Sequence, residues 1–320
     1  MTDPFAPLPA KSLSLPKLPP WVTAAPAKSA SEVAFRSGVA LTVLDTLIND
    51  PAQGVPLALL GHRAALSAAT ATSKLEGRLA READIRDAFH LTPPGDARGP
   101  DGDLLAFWRG VCRLRLDRPD WQSKLDALVG GDGMPTHAPL LDLANARADT
   151  HGPLAGCAWA LHAVLTQDSR AERLACLASD IVLARALRWK TLLPLTARRL
   201  TKAALRDLVT GAEGAGILAQ GHVLSAVHDA VGLARDLSRR ASALRAITPK
   251  LRAKGSGAAV ELFLSEDAVA PSSMLSPRIR GTNIAMTDRS ARRLCDRLVE
   301  LGVARELTGR STFRLYGIAS

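Results

Sequence analysis

Apolar side chains recur at three- and four-residue intervals over most of the chain, and the spacing first becomes regular after Ser31. Such spacing places apolar residues on one face of an α-helix, whereas a strand would alternate at every second residue. Ser31 and Asp103 are candidate N-caps of two of the helices. The predicted helices span about 31–48, 56–78, 82–89, 103–114, 119–129, 138–148, 152–166, 171–189, 192–209 and 215–247. Residues 32–254 are therefore predicted to form a multi-helix domain.

The first 31 residues have a different composition. Seven prolines lie there among Ala, Ser and Lys, and proline removes amide donors and disfavours helix at the residue before it. We therefore predict a flexible tail over residues 1–31. Trp21 is a large aromatic residue in a segment that otherwise consists mostly of small and polar residues and prolines. It could dock onto the body of the protein or onto a partner. Docking onto the body is the favoured alternative.

A small polar joint at residues 255–257 is the best candidate for a domain boundary. Beyond it the pattern predicts a helix at 258–264, a short helix from Pro271, a helix from Thr287 to Leu301, and strands at 303–307 and 312–317. This order is typical of a winged helix-turn-helix. The predicted fold class is mainly α: a multi-helix N-terminal domain followed by a small C-terminal winged helix-turn-helix, residues 255–320, with a two-stranded β-hairpin.

The third helix of this C-terminal module is amphipathic, and its polar face is basic. Its predicted core stripe is Ala291, Leu294, Cys295, Leu298 and Leu301, and arginines fall on the opposite side. Recognition helices contact base edges from such a face, and arginines of a wing can reach phosphate. The predicted DNA contacts are Arg289, Ser290, Arg292, Arg293, Arg310 and Arg314. In the hairpin, Phe313 and Leu315 are expected to share a buried face. An ordinary solvated basic face is the alternative.

The distribution of charge along the chain favours a polyanionic partner over a solvated basic surface. The net charge is +10, and residues 245–320 hold thirteen Lys and Arg against seven Asp and Glu. More than half of the excess therefore lies in the last quarter of the chain. A basic region of this kind attracts double-stranded DNA, although charge alone gives only non-specific binding.

No stretch approaches the roughly 18 apolar residues that cross a bilayer, and the N-terminus lacks the basic and apolar regions of a signal peptide. We expect a cytoplasmic protein without membrane contact. Aromatic residues make up only 4% of the chain, so the core must consist mostly of Ala, Leu and Val.

The common signatures of enzymes are absent from the sequence. It contains no Gly-x-Gly-x-x-Gly, Walker, His-Glu-x-x-His or Gly-x-Ser-x-Gly motif. The four cysteines are too far apart for a metal knuckle, and His222 and His228 lie about 120° apart on a helix. We therefore expect no catalytic residue, metal or cofactor. An enzyme with an unfamiliar site in the helical body is a third alternative.

Several segments carry a resemblance to a known family. They are residues 87–96 (Asp-Ala-Phe-His-Leu-Thr-Pro-Pro-Gly-Asp), 105–109, 286–294, 306–310 and 313–317. Together they resemble an uncharacterised alphaproteobacterial family, domain of unknown function 1403, whose members have about this length. The resemblance implies no activity. The turn at 306–310 also resembles the winged-helix tails of some Fic proteins, which concerns the fold alone.

One further motif resembles part of an enzyme. Residues 72–77, Thr-Ser-Lys-Leu-Glu-Gly, are similar to the inhibitory-helix motif of Fic-domain AMP-transferases. Those enzymes also need a His-Pro-Phe-x-x-Gly-Asn-Gly-Arg loop, which this chain lacks. The favoured interpretation is a polar helix end with Gly77 near the C-cap.

These observations predict a non-enzymatic DNA-binding protein, a regulator or a DNA-maintenance factor, which uses its C-terminal winged helix. The helical domain would bind a protein partner or self-associate. The alternative is a structural or protein-interaction module whose winged helix docks onto a partner protein, because winged helices serve both uses.

Overall fold

The structure of the protein is a computed structural model, which describes residues 14–93, 95–130, 137–251, 253–310 and 312–319. This part of the chain is mainly α-helical, as predicted. The α-helices are α1 (Ala30–Asn49), α2 (Leu57–Leu75), α3 (Glu82–Leu91), α4 (Gly99–Val111), α5 (Trp121–Val129), α6 (His137–His151), α7 (Pro153–Gln167), α8 (Glu172–Ala186), α9 (Lys202–Thr210), α10 (Ala215–Ile247), α11 (Ser256–Ser265) and α12 (Asp288–Glu300). Strands β1 (Ala304–Glu306) and β2 (Tyr316–Ile318) form an antiparallel pair.

Two predicted helix starts are wrong by a few residues. The N-cap of α1 is Ser29 and not Ser31, because Ser29 is extended and its side chain accepts a hydrogen bond from the Glu32 amide at 3.2 Å. Helix α4 begins four residues before the predicted cap Asp103, since Pro100 fits the first turn of a helix. Both starts move towards the N-terminus because a cap or a proline is available there.

Helix α8 lies at the centre of the body. Ten consecutive residues, from Ala175 to Ala184, are buried, which requires neighbours on every side of the helix. Helices α6 and α7 pack on it, α1 packs along the long α10, and α2 packs against α3 and α4. The body is thus an irregular helical array, whose core is built largely from Ala, Leu and Val.

The segment before α1 contacts the body. Val22 is buried, and Trp21 stacks on Phe35 of α1 with 5.5 Å between the ring centroids. Arg36 donates a hydrogen bond to the Ala25 carbonyl at 2.5 Å. The favoured docking of Trp21 onto the body is therefore present. Residues 1–13 of the predicted tail lie outside the described residues.

The C-terminal segment follows the predicted order of helices and strands. After α11 come a single helical turn, Pro271–Leu275, then α12 and the hairpin. The hairpin pairs Ala304 with Ile318 and Glu306 with Tyr316, and Val269 forms an additional bridge to Tyr316.

The predicted second strand of the hairpin is partly wrong. It was expected at 312–317, with Phe313 and Leu315 on one buried face, whereas β2 covers only Tyr316–Ile318. Phe313 has a left-handed backbone, φ 54°, which breaks the alternation of an extended strand. Its side chain is consequently 72% exposed, while that of Leu315 is buried.

The C-terminal segment packs tightly against the body. Helix α11 lies on α2, Arg86 of α3 donates to the Leu307 carbonyl at 2.9 Å, and Arg63 of α2 donates to the Ile318 carbonyl at 3.3 Å. Apolar side chains on both sides of residue 255 belong to one continuous core. That residues 255–320 form a domain of their own stays a prediction.

Candidate nucleic-acid interface

Helix α12 presents a sharply divided surface. Thr287 caps its first turn, where the Thr287 hydroxyl accepts from the Ser290 amide at 3.3 Å and donates to the Ser290 hydroxyl at 2.9 Å. The buried residues of the helix are Ala291, Leu294, Cys295 and Leu298. The predicted core stripe is therefore correct, except that Leu301 is only half-buried. Packing of this stripe turns the other face of the helix to solvent.

The arginines of that face are all exposed, and they differ in their partners. Arg292 forms an ion pair with Asp288 at 2.7 Å, one turn earlier. Arg289 and Arg293 lie one turn apart and have no ion-pair partner among the described residues. The acidic residues of α12 are Asp288 in the first turn and Asp296 and Glu300 in the second half. Arg292 pairs with Asp288 and Arg297 with Glu300. Within the part of the chain that the structure describes, Arg289 and Arg293 are therefore the arginines of this face that carry an unneutralised charge.

A carboxylate shapes the hairpin turn. Glu306 accepts hydrogen bonds from the backbone amides of Thr308 at 2.8 Å and Gly309 at 2.7 Å. Partial burial would raise the pKa of Glu306, but these donors and the Thr308 hydroxyl outweigh burial and lower it. Glu306 therefore stays ionised and holds the turn that carries Arg310.

The two arginines of the hairpin have different surroundings. Arg310 is 3.4 Å from Asp87 of α3, so the turn leans on the body, yet its side chain is 58% exposed. Arg314 is exposed, and its Nε donates to the Arg310 carbonyl at 3.1 Å. The hairpin and α12 are joined by Tyr316, whose hydroxyl lies 3.3 Å from Asp296.

A groove of about 470 Å³ separates α12 from the hairpin. Arg292 lines it from the helix, Arg314 and Phe313 line it from the hairpin, and Asp296 and Tyr316 also belong to its lining. The structure thus brings Arg292 and Arg314 to one groove. Arg289, Ser290 and Arg293 lie on the exposed helix face, and Arg310 lies towards the body.

Sequence reasoning missed a buried ionic cluster that holds this module in place. Arg109 of α4 forms ion pairs with both Glu266 and Asp267, which follow α11. His90 of α3 lies 3.2 Å from Asp267, and His62 of α2 lies 3.6 Å from Glu266. Arg109 and Asp267 are separated by 158 residues in the sequence, so no local pattern could have revealed the contact.

The charges in this cluster compensate one another. Burial would raise the pKa of Asp267, but His90 and Arg109 outweigh it and hold that pKa well below its usual range. Burial lowers the pKa of His62, and Arg109 acts in the same direction. The cluster therefore holds the ionised Asp267 carboxylate against the Arg109 guanidinium, which also lies over the Phe89 ring at 4.9 Å.

The same cluster could be considered as a metal site, because ligand atoms of His62, Glu266 and Asp267 lie within 4.8 Å of one another. Arg109 already contacts both carboxylates, and His62 Nδ1 lies 2.7 Å from the Ser265 carbonyl. A cation would have to displace the guanidinium. We therefore interpret the cluster as an ion-pair network.

The motif at 72–77 has structural partners. The Thr72 hydroxyl is buried and accepts from Trp108 Nε1 at 3.0 Å. Glu76 forms ion pairs with Arg78 at 2.8 Å and with Arg173 at 2.6 Å. These contacts fix the end of α2 against α4 and α8, which supports the interpretation of a polar helix end.

The four cysteines are free thiols, and three of them are fully buried. Burial raises the pKa of the Cys157 and Cys295 thiols to about 12, so they are protonated at neutral pH. Protonated buried thiols are poor nucleophiles.

A comparison with protein families now identifies the chain at the level of its family. The family model described as "Protein of unknown function (DUF1403)" matches residues 9–318, nearly the whole length. The chain belongs to this family. The resemblance expected from the sequence is thereby confirmed, and it covers the helical body and the C-terminal segment together. No curated protein matches the chain. No helix among the described residues is both long and apolar enough to cross a membrane.

Proposed function

We propose that this protein binds double-stranded DNA through α12 and the β1–β2 hairpin, which act as the recognition helix and wing of a winged helix. The observation that carries the proposal is the pair Arg289 and Arg293, exposed, one turn apart and without ion-pair partners among the described residues. An arginine that no acid neutralises is available for a guanine edge or a phosphate.

The proposal gives the basic residues different roles. Arg289 and Arg293 contact base edges from the first half of α12, and Ser290 lies beside them at the helix N-terminus. Arg292 and Arg314, which line the groove between helix and hairpin, and Arg310 contact phosphates. The bridge between Val269 and Tyr316 supports the winged-helix interpretation, because it adds a third extended segment beside the hairpin.

In this proposal the protein is non-enzymatic and cytoplasmic, and it serves as a regulator or a DNA-maintenance factor. The helical body holds the DNA-binding segment through α2, α3 and α4, and it binds a partner protein or a second copy.

The alternative is that the same module docks onto a partner protein. Phe313 favours it, because a phenylalanine that is 72% exposed beside a groove is a suitable anchor for a protein interface.

The test measures the affinity for a labelled DNA duplex at several salt concentrations. We expect the double variant Arg289→Ala/Arg293→Ala to bind its preferred sequence at least tenfold more weakly, since each base contact is worth about 1–3 kcal/mol. Arg310→Ala should weaken the binding of all sequences equally, and it should make the negative slope of log affinity against log salt less steep by about 1.

The matched control is Arg170→Ala/Arg206→Ala, which removes the same charge from exposed positions in the turn before α8 and in α9. It should bind DNA almost as the parent does. If the α12 variant and this control behave alike, DNA binding by this face is refuted and the protein-docking alternative takes its place.

A further inference from the structure

A second groove lies in the helical body, away from α12 and the hairpin. It has a volume of about 480 Å³ and is bordered by the first turns of α1 and α10, by the last turn of α6 and by α7. Small apolar residues, Ala34, Ala155 and Ala158, form part of its lining. The volume is in the range of sites for small organic molecules.

Arg147 brings a positive charge to the lining of this groove. Arg147, His151, His162 and Gln220 line it, and none of the described lining residues is acidic. Arg147 is exposed and has no ion-pair partner among the described residues. The His162 Nδ1 atom lies 3.1 Å from the Leu208 carbonyl, which fixes the orientation of its ring. A guanidinium that no acid neutralises, beside an apolar lining, suits a carboxylate.

Two further residues favour an aromatic ligand body. Trp159 is half-buried in the wall of the groove, so part of its ring is available for stacking. Gly216 lies in the first turn of α10, and a Cβ added there would meet no atom within 4 Å. Packing therefore does not require this glycine, and its missing side chain keeps the groove open.

We infer that this groove binds a small molecule with an aromatic body and one carboxylate. The carboxylate pairs with Arg147, and the aromatic body lies over the alanines and against Trp159. This inference does not depend on the proposed DNA binding, since it concerns other residues on other helices.

The test uses 2-naphthoate and its uncharged analogue 2-naphthamide as probes of the full-length protein, with binding measured by calorimetry. The two probes share their aromatic body, so the ratio of their affinities reports the charge. We expect 2-naphthoate to bind about fivefold more tightly, the factor that a partly exposed ion pair supplies. Arg147→Gln should abolish this difference and leave the affinity for 2-naphthamide unchanged.

The location of the site is tested by filling the groove. Gly216→Leu should weaken both probes roughly tenfold, because four added carbon atoms displace about as many ligand atoms. Gly232→Leu is the matched control: it lies in the same helix about 24 Å away, and its added Cβ would also meet no atom within 4 Å. It should leave both affinities unchanged.

Three results would overturn the inference. The first is the absence of binding at millimolar probe. The second is equal affinity for the two probes, or equal effects of the two leucine variants. The third is a dimeric parent protein that becomes monomeric on Gly216→Leu, which would make the groove an interface between two copies of the chain.

Discussion

Two buried aspartates, Asp180 and Asp267, differ in whether a charged group or only neutral donors contact the carboxylate. Asp267 meets Arg109 and His90, and it stays ionised. The Asp180 Oδ1 atom accepts from the Leu195 amide at 3.1 Å, the Thr196 amide at 3.0 Å and the Thr196 hydroxyl at 2.7 Å. These donors are neutral, so burial prevails over them and raises the pKa of Asp180 to about 7. For Asp180 the three hydrogen bonds therefore do not compensate for the complete burial of the carboxylate.

The raised pKa gives a pH dependence with a definite sign. The ordinary pKa of the Asp180 carboxyl is 3.8, so between about pH 4 and 7 the folded state holds a proton that the unfolded state has released. The contribution of Asp180 to the free energy of unfolding therefore decreases as pH rises through that window. Asp180→Asn keeps the acceptor oxygen and cannot ionise. Relative to the parent, its free energy of unfolding should increase by about 1–3 kcal/mol from pH 4.5 to pH 7.5.

Urea unfolding across this pH range measures the difference. Asp149→Asn, at an exposed position of α6, is the control and should show no such trend. Asp267 has a lowered pKa, so its stabilisation is lost only as pH falls below about 4, outside the window. A difference between parent and Asp180→Asn that is constant with pH would refute the assignment.

At the scale of elements, the helices were predictable because their signals are local. Apolar spacing gave the positions of most α-helices, and the Thr287 cap and core stripe gave α12 and its exposed arginines. The second strand of the hairpin is predicted in the wrong place because Phe313 has a left-handed backbone. Left-handed positions are usually recognised from a glycine, and a phenylalanine gives no such signal in the sequence. The ionic cluster and the groove on the body were missed because their members come from distant parts of the chain.

The joint before α11 shows how one element is fixed by its neighbours. Gly255 has φ +85°, and a Cβ there would lie 2.8 Å from Ile284 and 2.9 Å from Ile279. The loop between the helical turn at Pro271–Leu275 and α12 therefore packs directly on the glycine. Gly257, two residues later and inside α11, has no atom within 4 Å of an added Cβ.

Alanine should consequently have opposite effects at these two glycines. Gly255→Ala should lower the free energy of unfolding by about 1–3 kcal/mol, through the strained φ and the clash with two isoleucines. Gly257→Ala should raise it by about 0.5–1 kcal/mol, because alanine is the better helix former. Chemical denaturation of both variants tests the pair. Effects of the same sign would contradict the described packing.

At the scale of the whole molecule, the body and the C-terminal segment share one core and one ionic cluster. Arg109 connects α4 to Glu266 and Asp267, which lie beyond the candidate boundary at residue 255. Removing one partner of a buried ion pair leaves an uncompensated charge, which costs about 3–5 kcal/mol. The stability of the C-terminal segment therefore depends on a residue of the body, whatever that segment binds.

We accordingly predict that the two parts unfold together. All five tryptophans lie between residues 21 and 189, and Tyr316 of the hairpin is the single tyrosine. Tryptophan fluorescence therefore reports the body, and the ¹⁹F signal of incorporated 3-fluorotyrosine reports the C-terminal segment. Both signals should change at the same urea concentration.

Arg109→Met should lower the free energy of unfolding reported by both signals by about 3–5 kcal/mol. Arg113→Met, at an exposed position just after α4, is the control and should change that free energy by less than about 0.5 kcal/mol. If the fluorine signal changes first in the parent, or if Arg109→Met shifts it alone, the C-terminal segment unfolds separately and its contacts with the body are not cooperative.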